Sequence, residues 1–409
     1  SQRGYPGAAV REEPGTFKHQ DRQWDSDFFL QTSWRKNVHE RYDLLLNGKY
    51  AYNYLHYRSD PNMDATTMYI DNHYRQQELY GSCANRWSIT DRWSAGLSID
   101  VQRNTLTADM RDFVEPTRLT GLAAAATALH LPHFTMQADI LATLVHDRMK
   151  TEATTHNRQK LTPSIAMSWQ PVETLNFNIR SFYKSIFRMP TLNDLYYTFI
   201  GNSALAPEKT VQYNIGMTFT APIGAGQSLE FQADVYRNDV TDKIIAMPAS
   251  NQFRWTMVNL GKVEIRGLDL STAVSRQIGH DDGIHCRLNY TYQKAQDFTN
   301  PESSYYGDYI PYIPLHSGSA VAGGNIGRWE FNYSFLYTGE RWNASANIPE
   351  NHEKQWYTSD VSASGTFQWG QRTVRLTAEV NNLFNQQYEV VQCYPMPGTN
   401  FYILLCINI

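Results

Sequence analysis

Aromatic side chains in the long connecting segments of this chain are the residues best suited to chemistry, and that chemistry is ligand binding. A tyrosine or tryptophan ring can stack on a large, flat ligand and still offer a hydroxyl or an indole N–H for a hydrogen bond. The candidate rings are Tyr196, Tyr197, Trp255, Tyr305, Tyr306, Tyr309, Tyr312, Trp342, Tyr388 and Tyr394. Arg188 and Asn193 lie beside the first two and complete the predicted binding set. The alternative role for part of this set is packing of the loops or of an aromatic girdle.

The sequence carries no catalytic or cofactor-binding signature. Its 12 histidines show no HExxH or other paired-ligand spacing, and there is neither a GxSxG nucleophile elbow nor a glycine-rich phosphate loop. We therefore predict that the protein is not an enzyme and uses no cofactor. Asp60 and Asp64 share one connecting segment and are weak candidates for Ca²⁺, which needs several oxygen ligands. Carboxylates that contact only water are the more frequent case.

The elements that must position these side chains are β-strands, because apolar and polar residues alternate with a period of two. Residues 229–236 read LEFQADVY and residues 374–381 read VRLTAEVN, so each places apolar groups on one face and polar groups on the other. Such segments begin near residues 24, 41, 66, 93, 117, 133, 158, 174, 208, 227, 255, 283, 314, 328, 357, 371 and 399, about 17 in all.

The connections between these segments alternate between short and long. Residues 131–133 are one of the short connections, and residues 296–313 are one of the long ones. Short turns on one side and long loops on the other are typical of a transmembrane antiparallel β-barrel with periplasmic turns and extracellular loops. The alternative is a large soluble β-sandwich or propeller, which does not require this asymmetry.

Composition excludes two other classes of protein. No stretch approaches the roughly 18 to 20 uninterrupted apolar residues of a membrane-spanning helix, so a helical membrane protein is excluded. The formal net charge of −4 provides no basic surface to follow a phosphate backbone, so nucleic acid is not an expected partner.

The number of strands predicts that the barrel extends beyond this chain. Bacterial barrels of this type have an even number of strands, whereas the count here is odd. We therefore predict that residues 1–409 are the C-terminal part of a larger barrel. Within it, residues 1–23 would be the remnant of an extracellular loop and residues 24–409 would carry the strands.

Five segments resemble motifs of the TonB-dependent outer-membrane receptors. Residues 186–209 resemble that family's "FRAP … DLY … GNP-L-PE" segment, and residues 263–269 (VEIRGLD) resemble its "G-EIRGVE/D" strand. Residues 380–388 (VNNLFNQQY) and 394–401 (YPMPGTNF) resemble the motifs around its last two strands, and residues 3–7 (RGYPG) resemble an "RGLPG" midway through related barrels. The five occur in the family's order over nearly the whole chain.

The resemblance implies an all-β transmembrane barrel of about 22 strands with a plugged lumen. About 17 of those strands would lie in this chain, with the plug domain and the TonB box absent from it. It also implies an outer-membrane location in a Gram-negative bacterium, contact with outer-membrane lipids, and energy from the TonB complex acting through the plug and TonB box. A surface lipoprotein is a further candidate partner. Arg188 and Asn193 could hold the plug instead of contacting ligand.

For the nutrient, the uncharged aromatic loops favour a large, nearly neutral macrocycle. The segment at residues 3–7 is most similar to cobalamin receptors, so a corrinoid such as cobalamin is the preferred ligand. The alternatives are a ferric siderophore or haem. The alternative from another class is a passive porin, or a structural or adhesive outer-membrane barrel.

Overall fold

The computed structural model describes residues 2–5, 21–59, 70–150, 155–197, 201–248, 255–279, 282–370, 372–392 and 394–408. Strands account for nearly all of its secondary structure. Among these residues, no helix has both the length and the apolar character needed to cross a membrane.

The strands are β1 (Gln2–Tyr5), β2 (Asp21–His39), β3 (Tyr42–Ser59), β4 (Ile70–Ser88), β5 (Trp93–Ala108), β6 (Thr117–Leu131), β7 (Phe134–Arg148), β8 (Thr155–Trp169), β9 (Asn176–Arg188), β10 (Glu208–Gly224), β11 (Gln227–Pro248), β12 (Trp255–Gln277), β13 (Gly283–Asp297), β14 (His316–Ile326), β15 (Trp329–Thr338), β16 (Arg341–Trp342), β17 (His352–Glu353), β18 (Trp356–Trp369), β19 (Arg372–Asn381), β20 (Glu389–Val391), β21 (Tyr394–Pro395) and β22 (Asn400–Asn408). Helix α1 spans Leu192–Tyr196, and a 3₁₀ turn spans Pro349–Asn351.

The chain forms two compact units. Unit 1 comprises Ser1–Met167 and Lys184–Ala204, and unit 2 comprises Ser168–Tyr183 and Leu205–Ile409. In unit 1, β1 to β7 pair antiparallel in chain order. In unit 2, β10 to β15 pair antiparallel in chain order and continue through β18 and β19 to β22.

The predicted strands and the predicted alternation of connections are both confirmed. Seventeen of the described strands have nine residues or more, which equals the number read from the alternation. Two residues, 132–133, separate β6 from β7, whereas eighteen residues, 298–315, separate β13 from β14. The other connections alternate in the same order along the chain, except that residues 149–154 and residues 170–175 form connections of equal length, six residues each.

The N-terminal segment differs from the prediction in one respect. Residues 1–23 were expected to be loop, yet Gln2–Tyr5 form a strand that pairs with residues 21–24. Four residues are too few to show a period-two pattern, and the pairing satisfies backbone groups at the start of β2. Residues 6–20 lie outside the described part of the chain.

On β19 of unit 2, the strand register separates an apolar face from a polar face. Leu376 lies opposite Leu405, and the two side chains are 45% and 57% exposed. On the other face of β19, Arg375 donates to Glu330 of β15 over 2.6 Å. An apolar row this exposed is not the core of a soluble sandwich. It matches the outward apolar face of transmembrane strands.

The glycine of the 263–269 motif has a packing reason. Gly267 lies opposite Tyr236 in the register of β11 and β12, and a Cβ built on Gly267 would overlap the tyrosine ring. The ring therefore lies over the bare backbone of its neighbour, a position that only glycine can fill without displacing it.

Candidate functional site

The candidate site lies in unit 2, where three long loops meet. These are the 298–315 loop after β13, the 339–355 loop after β15 and the 382–399 loop after β19. They hold most of the aromatic residues that the sequence predicted for binding. Hydrogen bonds between the loops decide whether they form one surface.

The 298–315 loop is fixed to the ends of the strands beneath it. Ile310 is only 2% exposed and belongs to an apolar cluster with Val240 and Val263. Its backbone N–H donates to Ala295 O over 3.1 Å. Burying one isoleucine side chain stabilises the loop by about 1.5–3 kcal/mol, so this loop has a defined place.

Asn347 joins the 339–355 loop to the 298–315 loop. Its Oδ1 accepts from Tyr309 N over 2.6 Å, and its Nδ2 donates to Tyr309 O over 3.2 Å. Its own backbone N–H donates to Asp308 Oδ2 over 2.9 Å. Tyr312 N donates to Trp342 O over 2.7 Å. These bonds tie the two loops together at two places.

Arg341 joins the 339–355 loop to the 382–399 loop. The residue is 4% exposed. Its guanidinium donates to Lys354 O over 3.1 Å, to Glu389 O over 2.6 Å and to Val390 O over 3.2 Å. Burial lowers the pKa of Arg341, while the nearby Glu353 and Tyr312 act in the opposite direction. The fork of donors crosslinks the two loops, so the three loops form one connected surface.

A cleft of about 310 Å³ opens in this surface. Its lining includes Tyr309, His316, Glu340, Trp342 and His352. His352 Nε2 lies 3.4 Å from Glu340 Oε2, and the His352 ring meets Trp342 edge to face with centroids 5.3 Å apart. Burial, and then the charge of Tyr292, raise the pKa of Tyr309. This volume is at the lower end for small-molecule clefts, so the cleft would hold one part of a larger ligand.

The predicted aromatic residues of unit 2 have different positions in this surface. Tyr309 and Trp342 line the cleft. Beside it, the backbone N–H of Tyr312 donates to Trp342 O, and the Tyr312 ring contacts the Trp255 ring with centroids 5.8 Å apart. Tyr388 packs on the buried Trp356 ring with centroids 4.5 Å apart. Three further rings, between 39% and 45% exposed, lie on the outside of the loops: Tyr305, Tyr306 and Tyr394.

The predicted residues of unit 1 surround α1 and mainly pack it. Tyr197 stacks on Tyr74 with centroids 5.1 Å apart, and Tyr196 meets Phe113 edge to face at 6.5 Å. Arg188 Nη2 lies 3.5 Å from Asp194 Oδ2, and Asn193 is exposed. For the two tyrosines the geometry matches the packing alternative. Asp60 and Asp64 lie outside the described residues.

Several residues of the site were missed from the sequence. Arg341, Asn347, His316 and His352 belong to no motif, and their roles depend on contacts between loops far apart in the chain. Unit 1 holds another missed group, in which ligand atoms of His56, Asp71 and His73 lie within 4.8 Å of one another. The sequence could have predicted this group, because β3 and β4 are consecutive antiparallel strands, and their pairing places His56 opposite His73.

Comparison with known proteins identifies the family. The protein-family model described as "TonB dependent receptor-like, beta-barrel" matches residues 1–383. Vitamin B12 transporter BtuB of Photobacterium profundum is 24% identical over 223 residues, which are 53% of this chain and 33% of that protein. Across BtuB relatives, the match spans from a third to about half of their length.

Solved structures show the same fold at low identity. Copper transporter OprC has a TM-score of 0.72 at 14% identity, over 94% of this chain and 65% of that chain. The siderophore receptor PiuA of Acinetobacter baumannii has a TM-score of 0.72 at 12% identity, over 99% and 67%. The matched proteins are transporters and receptors. The chain belongs to the TonB-dependent receptor-like β-barrel family.

Proposed function

We propose that this protein is an outer-membrane receptor of a Gram-negative bacterium that imports a large, scarce nutrient with energy from the TonB complex. The observation that carries the proposal is the connected surface of three loops around an aromatic cleft, in a member of this family. The TonB complex would act through a plug and TonB box, the exposed apolar rows would contact lipid, and a surface lipoprotein is a further proposed partner.

The preferred ligand is a corrinoid such as cobalamin. Trp342 and Tyr309 offer ring faces and a hydroxyl to a flat macrocycle. The guanidinium of Arg341, the cationic side chain in the cleft lining, is engaged with three backbone carbonyls. A catecholate or carboxylate siderophore needs cationic hydrogen-bond donors, and the guanidinium of this cleft is already engaged. The similarity to BtuB supports the same ligand.

Haem is a second candidate because of one observation. His316 and His352 both line the cleft, and imidazole is a common axial ligand of haem iron. Residues 186–208 contain no histidine, so this motif segment gives no support to haem. The histidines of the cleft come from other segments.

The proposal is tested by calorimetric titration of the detergent-purified receptor, expressed from its full reading frame, with cyanocobalamin, haem and a ferric catecholate. We expect cyanocobalamin to bind and Trp342→Ala to weaken that binding about two- to tenfold, because a stacked ring contributes about 0.5–1.5 kcal/mol beyond its buried area. Trp369→Ala is the matched control, since that ring is 75% exposed and lies at a short turn.

Each alternative has its own outcome. If haem binds and the binding is lost in His352→Ala, the ligand assigned to the cleft would be haem instead of cobalamin. Binding of the ferric catecholate alone would assign a siderophore. Binding that Trp342→Ala leaves unchanged for every ligand would contradict the assignment of the cleft.

A further inference from the structure

A cluster of histidine and aspartate side chains lies in unit 1, between β3 and β4. His56 and His73 face each other directly in the strand register, and Asp71 lies two residues before His73 on the same side of β4. His56 Nε2 lies 2.6 Å from Asp71 Oδ1, and His73 Nε2 lies 3.6 Å from the same oxygen. Three different side chains thus converge on one point.

A second carboxylate lies beside this point. Asp109 Oδ2 is 3.8 Å from His73 Nε2. The other oxygen of Asp109 accepts from His73 N over 2.8 Å, and Asp109 N donates to His73 O over 3.3 Å. Two backbone-linked bonds therefore hold Asp109 in place. Arg58 lies opposite Asp71 in the register.

A hydrogen bond to the second ring nitrogen of His73 orients this ring, as such bonds do for histidines that bind metal ions. Tyr54 Oη lies 2.5 Å from His73 Nδ1. When Nδ1 carries the proton and donates to that hydroxyl, Nε2 keeps a lone pair directed at the carboxylates, which is the usual arrangement for a metal-binding imidazole. Trp24 stacks on His56 with centroids 4.6 Å apart, which limits the positions of that ring.

We propose that His56, Asp71 and His73, with Asp109 as the fourth ligand, bind a divalent transition-metal ion of the Zn²⁺ and Cu²⁺ class. Two imidazole nitrogens with carboxylate oxygens suit these ions. Ca²⁺ takes oxygen ligands throughout, and Cu⁺ prefers thiolates and thioethers. This site lies in unit 1 and is independent of the ligand proposed for the cleft in unit 2.

Binding requires a small rearrangement that the geometry defines. The two imidazoles are stacked, with centroids 4.0 Å apart and planes at 14°, whereas a bound ion lies about 2.0–2.1 Å from each nitrogen and near each ring plane. Because Tyr54 holds His73, the His56 ring is the one that must turn, and it must leave its stack on Trp24 to do so. The ion would then link β3, β4 and the segment that follows β5.

The test is titration of the detergent-purified protein, stripped with a chelator, with Zn²⁺ and separately with Cu²⁺. We expect one ion per chain at this site. His73→Ala and Asp71→Asn should each weaken binding by more than about 100-fold, and Tyr54→Phe by about 10–100-fold, because partners of metal ligands typically contribute that much. His285→Ala is the matched control, since this histidine is exposed on β13 and should leave binding unchanged.

A second measurement keeps the proposal testable if a variant folds poorly. The electron paramagnetic resonance spectrum of the Cu²⁺-loaded wild-type protein should show coupling to two histidine nitrogens, and His56→Ala should show one fewer. Equal affinity in the wild type and in folded His73→Ala would overturn the proposal. A wild-type Cu²⁺ spectrum without histidine nitrogen would overturn it equally.

Discussion

Arg341 is the residue on which the connected loop surface depends most. Its buried guanidinium serves three carbonyls of two loops. Arg341→Ala removes the donor of these three bonds, and a buried polar group that loses a hydrogen bond costs about 1–3 kcal/mol. We expect faster proteolysis within the 339–355 and 382–399 loops and weaker ligand binding, with unchanged heat-modifiable gel mobility of the strands.

Arg341→Lys is the matched control for this prediction. Lysine keeps the charge but lacks the planar fork of donors, so it should fall between the wild type and alanine. Proteolysis rates that are the same in all three proteins would show that Arg341 does not hold the loops.

The raised pKa values of Tyr309 and Tyr388 predict that the packed loops lose stability at alkaline pH. Burial, followed by Tyr292, raises the pKa of Tyr309 above its ordinary 10.0, and burial, followed by Asp360, raises the pKa of Tyr388. Below pH 10 the phenols are protonated in both the packed and the open loops, so the packing contribution is complete. As the pH rises through about 10, the open form loses its protons first, and the packed form loses stability.

The measurement is protease protection of the loops as a function of pH. In the wild type, protection should fall as the pH rises above about 10. The double variant Tyr309→Phe and Tyr388→Phe cannot ionise at these positions and should lose less protection. An identical alkaline loss in this variant would assign the effect to other groups.

At the scale of elements, substitution of Gly267 tests how the side chains of β11 pack on β12. A methyl group at Gly267 would overlap the Tyr236 ring, and overpacking typically costs about 1–3 kcal/mol. We expect Gly267→Ala to lower the temperature at which heat-modifiable gel mobility changes. Tyr236→Ala in the same protein should relieve that effect. Equal thermal stability of wild type and Gly267→Ala would contradict the packing described here.

The strands could be predicted from sequence because their signal is local. Alternation in residues 229–236 and 374–381 follows directly from the faces of a single strand, and the structure has strands at both places. The contacts of the site are not local. Arg341 meets Glu389 across 48 residues, and no periodicity encodes that contact. Gln2–Tyr5 was missed since four residues carry too little pattern.

Helix α1 shows the same limit within one element. The sequence placed Tyr196 and Tyr197 at a loop where rings could meet ligand. Their partners, Phe113 and Tyr74, lie on other strands and connections. The choice between packing and binding therefore depended on which strands surround α1, which aromatic content alone does not define.

At the scale of the whole molecule, the exposed apolar rows agree with the family, whose fold is a transmembrane β-barrel. Phe401, Ile403 and Leu405 on β22 are 73%, 80% and 57% exposed. A continuous apolar row this exposed is typical of the outward face of transmembrane strands. The loop surface then lies on the long-connection side of the strands. The proposed import by the TonB complex combines these two features with the family's known mode of transport.

Uptake of labelled cyanocobalamin tests this central claim most directly. Cells that express the full reading frame as their only cobalamin receptor would be compared with the same cells lacking TonB. We predict saturable uptake that requires TonB and that falls in the Trp342→Ala variant but not in Trp369→Ala. Uptake that is the same with and without TonB and does not saturate would contradict the account and would indicate a passive pore.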